Sequence, residues 1–197
     1  MGEFYRPANR LTEYFRDLFF MGVRKLPVVK DYVLQLKFKP MSRYTDGVVL
    51  FDEQAGKAKD YPVGRMFMQP SVMLDGNVVK LDDAIGPAFC IIGVNADPAG
   101  LLDGAQLAAL AEGACKTLVA APSRCVAALR AASSSSIVVE DVPGKFRDWR
   151  MKNPRWPFIM RPDRYVAAVC DAAELPGVVQ EFLDMLRGPA QARRLAA

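Results

Sequence analysis

Apolar positions recur with helical spacing along the first forty residues. Leu11, Tyr14, Phe15, Leu18 and Phe19 follow the i, i+3, i+4, i+7, i+8 rule of one buried face, with Asn9 placed to cap and Gly22 to stop. Pro27 suits a first helical position, and Val28, Val29, Tyr32, Val33 and Leu36 form a second stripe. Two short amphipathic helices cannot bury both stripes in each other. The extension is therefore expected to pack on a partner or on further sequence.

The pattern changes over residues 39–70. Lys39-Pro40, Asp46-Gly47, Ala55-Gly56-Lys57, Tyr61-Pro62 and Gln69-Pro70 are turn signals around one strand candidate, Val48–Phe51. Beyond them strands and helices alternate. Asn77–Leu81 reads as a short strand, Asp82–Gly86 as a turn, and Phe89–Val94 as the continuous apolar run of a central strand. Asp103 with Gln106 forms a capping box, and Leu107, Leu110, Ala111, Ala114 and Leu118 predict one long helix ending near Pro122. Cys125–Leu129 follows as a strand, Ser133–Ser136 as a loop, and 144–152 as a short helix carrying Phe146 and Trp149. A hairpin spans Phe158–Arg161 and Tyr165–Val169 across Pro162-Asp163. Asp171 and Glu174 then cap a last helix closed by Gly188-Pro189. This order predicts a compact α/β domain with a mixed sheet. Its boundaries are a helical extension at 1–51, a linker at 52–64, the domain at 65–190 and a tail at 191–197.

The 197 residues are 51% hydrophobic and 24% charged, which excludes a disordered chain and leaves enough apolar surface for a sizeable core. Residues 1–70 carry 12 basic and 8 acidic side chains and 71–197 carry 14 of each, so the whole net charge of +4 lies in the first third. There is no histidine. Ser-His-Asp triads, Cys-His dyads and His-containing zinc sites are thus excluded within this sequence. The four cysteines, Cys90, Cys115, Cys125 and Cys170, form no C-x-x-C and are read as reduced thiols, Cys90 and Cys170 lying in apolar runs. No stretch approaches the length needed to cross a bilayer, and Met1–Arg6 lacks the pattern of a signal peptide; a cytoplasmic location is expected.

Two clusters invite chemistry. Lys145–Trp156 interleaves basic and aromatic residues in the manner of a single-stranded nucleic-acid binder. The charge balance of residues 71–197 as a whole favours instead an amphipathic helix with Phe146 and Trp149 inward and a solvated basic face, and nucleic acid is not expected as a partner. Asp75, Asp82, Asp83 and Asp97 lack the regular alternation of a cation loop and are read as turn carboxylates. Met66, Phe67, Met68 and Met73 are expected to fill core or interface gaps.

Several short motifs carry a family resemblance. Phe38-Lys39-Pro40-Met41, Arg43-Tyr44, Gly64-Arg65 to Gln69-Pro70, Leu81-Asp82-Asp83 to Gly86-Pro87 and Arg161–Val166 are similar in order and spacing to the 3-(3-hydroxyphenyl)propionate hydroxylase family. These are single-component flavoprotein monooxygenases, related to phenol hydroxylase-like proteins. The resemblance implies a thioredoxin-like domain with a mixed central sheet, preceded by an α-helical N-terminal extension. It implies a parent enzyme in which NAD(P)H reduces FAD and the flavin hydroxylates a phenolic acid. Neither the G-x-G-x-x-G fingerprint nor the later Gly-Asp motif of that flavin site occurs. No cofactor, metal or catalytic residue is therefore expected here. The sequence reads as the last third of such an enzyme, partnered by a missing flavin domain and capable of forming a homo-oligomer. Arg43 and Tyr44 would lie on the substrate side or at the domain interface. The competing reading is a stand-alone, non-redox thioredoxin-like interaction module, with a weak nucleic-acid binder behind it. No thiol stands in Asn95-Ala96-Asp97-Pro98, where a redox thioredoxin carries its C-x-x-C.

Overall fold

The computed structural model describes residues 43–52, 61–133 and 135–195, with side chains to Gly188, and four residues upstream, Tyr14, Phe15, Leu18 and Met21. Contacts divide the chain into Met1–Met41 and Ser42–Ala197. In the first unit those four residues are helical, and each exposes half or more of its surface, from 50% at Leu18 to 66% at Tyr14. The remaining positions of the two apolar stripes lie outside the described residues.

The second unit begins its regular structure with a hairpin, β1 (Ser71–Leu74) and β2 (Asn77–Lys80), reversing at Asp75-Gly76, both at positive φ. Helix α1 (Leu81–Ile85) follows, then β3 (Phe89–Val94), a 3-10 turn (Pro98–Leu101), α2 (Gly104–Glu112), β4 (Cys115–Ala121) and α3 (Ser123–Ala132). The chain continues through β5 (Ile137–Glu140), α4 (Lys145–Lys152), β6 (Phe158–Met160), β7 (Val166–Val169) and α5 (Leu175–Leu195). Helix α5 breaks at Gly188, whose φ of 65° departs from the helix where Gly188-Pro189 predicts its end.

The seven strands form one sheet in the order β2-β1-β5-β4-β3-β6-β7. Strands β3, β4 and β5 run parallel, and β6 joins β3 antiparallel before returning as β7. Three parallel strands bordered by an antiparallel hairpin, with helices in the crossovers and a last helix after the hairpin, make the fold thioredoxin-like. Alternation along β3 sends Cys90, Ile92 and Val94 to one core and Ile91 to the other. The first core gathers Leu81 and Ile85 of α1, Phe146 of α4, and Phe67 and Phe158. Phe67 stands at its centre, with ring centroids 5.7 Å from Phe146, 5.2 Å from Trp149 and 4.9 Å from Phe158. The second core packs Leu110 of α2 and Leu175, Val179, Phe182 and Leu183 of α5 against Ile91 and Ile159.

Three sequence expectations are corrected here. Asp82–Gly86 is not a simple turn but the body of α1 and its end. The long helix predicted to reach Pro122 stops at Glu112, and the chain turns through Gly113 and Ala114 into β4. Cys125–Leu129, predicted as a strand, lies inside α3. The last two have one cause. Alanine-rich stretches such as Cys115–Ala121 and Ser123–Ala132 suit helix and buried strand alike, and pairing between β3 and β5 decides. The strand expected at Val48–Phe51 joins no ladder; it leaves a bend at Asp46–Val48 and meets the sheet through a backbone bond, Leu50 N to Ala167 O, 2.7 Å.

Candidate functional site

The redox position of a thioredoxin is the loop after the central strand, here residues 95–98. Gly93 permits it to fold back over the sheet: a Cβ at that glycine would stand 2.2 Å from Ala96 O and 2.9 Å from Pro98 Cδ. Asp97 then caps the 3-10 turn, one carboxylate oxygen accepting from Ala99 N at 2.9 Å and from the Ser136 hydroxyl at 2.5 Å, the other from Ser133 at 2.5 Å. Ser136, its one proton given to Asp97, accepts from the Thr117 hydroxyl at 2.7 Å. A fully engaged carboxylate occupies the place of a nucleophilic thiol. The residues do not fit a flavin either, because a pyrophosphate needs open backbone N–H groups at a helix start, and this start holds a negative side chain against a filled turn.

The cysteines complete that picture. All four are free thiols, three of them buried. Burial pushes Cys115 and Cys170 up to about 12 and Cys90 well above its ordinary range. A thiol held protonated is a poor nucleophile.

The opposite end of the sheet, where β3 begins and β6 ends, is built differently. The turn from β6 to β7 is closed by Arg161 N to Tyr165 O, 2.9 Å, and Arg164 N to Arg161 O, 2.9 Å. Asp163 accepts two bonds from the Arg161 guanidinium, from Nε at 3.0 Å and Nη2 at 2.7 Å. That planar group lies 4.9 Å from the centre of the Tyr44 ring, and Tyr44 meets Tyr165 edge-to-face at 4.5 Å. Arg164 pairs with Asp82 of α1 at 3.3 Å, and Asp82 also accepts from Gln69 at 2.7 Å. Gly86 and Pro87 line a groove with Arg161, Pro162 and Arg164.

The motifs that carry the family resemblance, from Arg43-Tyr44 to Arg161–Val166, are thereby drawn into one cluster, apart from Phe38–Met41, which lies outside the described residues. Nothing in their separate spacing in sequence announces it. Tyr44 N bonds Gly64 O at 2.7 Å, and Gly64, at φ +77°, could carry no side chain, because its Cβ would meet Tyr44 O at 2.1 Å. Arg43 donates from Nε to Val63 O at 3.1 Å and lies over the rings of Phe51 and Tyr61. Both predicted residues thus bind the segment 43–52 to the domain.

That segment, the strap, runs along the sheet edge. A bulge between β6 and β7 lets the consecutive carbonyls of Val166 and Ala167 both serve segments outside the hairpin, Gly64 N at 2.8 Å and Leu50 N at 2.7 Å. At the far end of the strap Asp52 pairs with Arg155, which also holds Glu174 and lies 3.5 Å from Asp171. Tyr61 is 5% exposed, and burial, working against the pull of Arg43, raises its phenol to about 12. Tyr61 and Gly64, from the region expected as linker, are therefore packed on the domain.

The other candidates resolve simply. Phe146 is fully buried and Trp149 packs on the first core, while Arg147 is mostly solvated. Asp75 pairs with Arg130 at 3.1 Å, and no group of three or more metal-ligating side chains occurs among the described residues. Phe67 is buried as expected, whereas Met66 is 46% exposed.

Fold and site together define a thioredoxin-like domain with no thiol at residues 95–98, whose distinctive residues fasten the segment 43–52. Residues 64–185 match the family model described as the HcaD C-terminal domain, and the chain belongs to that family. It is 39% identical over 185 residues to a 3-(3-hydroxy-phenyl)propionate/3-hydroxycinnamic acid hydroxylase of Burkholderia cenocepacia (strain HI2424), covering 92% of this chain and 33% of that protein. A protein of the same name from Paraburkholderia xenovorans (strain LB400) is 30% identical, over 92% of this chain and 36% of the relative. The chain thus spans about a third of the length of the curated relatives it matches. Among solved structures, the flavin-dependent monooxygenase PieE in complex with FAD and substrate aligns with 72% of this chain and 25% of its own, at a TM-score of 0.49 and 17% identity. The thioredoxin domain of a thiol-disulfide oxidoreductase from Bacteroides vulgatus aligns with 64% of this chain and all of its own, at a TM-score of 0.48 and 15% identity.

Proposed function

We propose that this chain is the C-terminal part of an FAD-dependent, NAD(P)H-using monooxygenase that hydroxylates a phenolic aromatic acid such as 3-(3-hydroxyphenyl)propionate. Its own part is structural: the domain anchors the polypeptide that leads to the flavin and substrate body. The observation that carries this reading is the Arg161–Tyr44–Tyr165 stack, which spends the most distinctive turn of the domain on holding an incoming segment. The solvent-facing Tyr14, Phe15, Leu18 and Met21 support it, because an apolar helix face of that kind is stable when another surface covers it. Four free thiols accord with a reducing cytoplasm, where we place the enzyme.

Two preparations test the proposal. The purified chain, incubated with FAD and desalted, is expected to retain no flavin absorbance at about 450 nm. Joined behind the N-terminal two-thirds of the Burkholderia cenocepacia hydroxylase in place of that enzyme's own last third, it is expected to support NADH oxidation that depends on the phenolic acid and yields its hydroxylated product. Stoichiometric flavin on the chain alone, or a flavin-loaded fusion that makes no product, overturns the reading.

A further inference from the structure

The strap Arg43–Asp52 contains no regular strand or helix; beside the bonds of Arg43 and Tyr44 to Val63 and Gly64, it meets the sheet and its hairpin at three places. Arg161 stacks on Tyr44 at one end, Leu50 N bonds Ala167 O in the middle, and Asp52 pairs with Arg155 at the other end. Between them Val49 is buried, and Val48 and Leu50 lie half-buried against the second core. The first fastening has a defined geometry. Asp163 fixes the plane of the Arg161 guanidinium with two hydrogen bonds. The side chain is 19% exposed, so its stacking acts partly shielded from water. A segment secured by so few backbone bonds at a sheet edge opens on its own before the sheet does.

We propose that the strap is a separately releasable unit of this fold and that Arg161 is its latch. Removing the latch frees Tyr44 and then Leu50, while the ladders β3–β4 and β4–β5 stay closed. The inference stands on contacts within Ser42–Ala197 and is independent of the flavin reading.

Native-state hydrogen exchange on the full chain tests it, comparing the wild type with Arg161→Ala and Arg161→Lys. The expected result in Arg161→Ala is a rise of about tenfold or more in the exchange of the Tyr44 and Leu50 amides, with Ile91 and Val119 unchanged. Arg161→Lys keeps the charge but loses the planar two-bond fit to Asp163, and is expected to fall between the two. Tyr44→Ala removes the strap's half of the contact with the hairpin intact, and gives the same selective loss at Leu50. Uniform loss of protection across strap and sheet in Tyr44→Ala, or unchanged exchange at Leu50 in both alanine variants, overturns the proposal.

Discussion

The Ser136 hydroxyl donates to the Asp97 carboxylate at 2.5 Å, tying the loop after β3 to the entry of β5. Asp97 receives Ala99 N and Ser133 as well, so its removal leaves donors without their acceptor in a half-buried place. Asp97→Ala is expected to lower stability by about 1–3 kcal/mol, read from urea denaturation midpoints. Asp97→Asn keeps the shape and part of the bonding and is expected to cost less.

Thiol chemistry gives a second expectation. Cys90, Cys115 and Cys170 are buried, and only Cys125 is partly open to solvent. An aromatic disulfide reagent at about pH 8 is expected to modify one thiol per native chain and all four after denaturation. The native chain is expected to leave insulin disulfides unreduced, since residues 95–98 hold no thiol.

Stability is expected to fall on both sides of neutrality, for different groups. On the alkaline side the folded chain keeps protons on Cys115, Cys170 and Tyr61 to about 12, while the unfolded chain releases them near 9.0 for the thiols and 10.0 for the phenol. Their contribution is complete below about pH 9 and disappears as pH rises toward 12. On the acid side Glu174 is held below its ordinary 4.5, first by the Asp171 N–H at 2.9 Å and then by Arg155. Its contribution is present above that value and lost as pH falls through the lowered one. Urea midpoints measured from about pH 3 to 11 check both limbs. Glu174→Gln is expected to flatten the acid limb and, because its negative charge helps raise Cys170 and Tyr61, to soften the alkaline one slightly.

Gly93 and Gly100 make a matched pair. A methyl group at Gly93 would collide with Ala96 O and Pro98, whereas nothing lies within 4 Å of one at Gly100. Gly93→Ala is expected to cost about 1–3 kcal/mol as the loop is forced off the sheet. Gly100→Ala is expected to stay within about 0.5 kcal/mol of the wild type. Thermal melts of the two variants side by side provide the check.

The sequence alone determined the features that depend on near neighbours. The run Phe89–Val94 read as a central strand and is one, and Asp103 with Gln106 wrote a capping box whose two hydrogen bonds are both present. The hairpin around Pro162-Asp163 and the break at Gly188 followed from turn chemistry. The tertiary structure decided what depends on distant partners. Cys115–Ala121 became a strand because β3 and β5 flank it and bury small side chains on both faces, a benefit that local propensity does not encode. Arg43 and Tyr44 stood out as a pair from the start, but their contacts with Val63, Gly64, Arg161 and Tyr165 exist only once the strap and the hairpin meet at the edge of the sheet. Local sequence fixes backbone geometry over a few residues, whereas burial and hydrogen-bond pairing are settled by whatever surface the rest of the chain brings alongside.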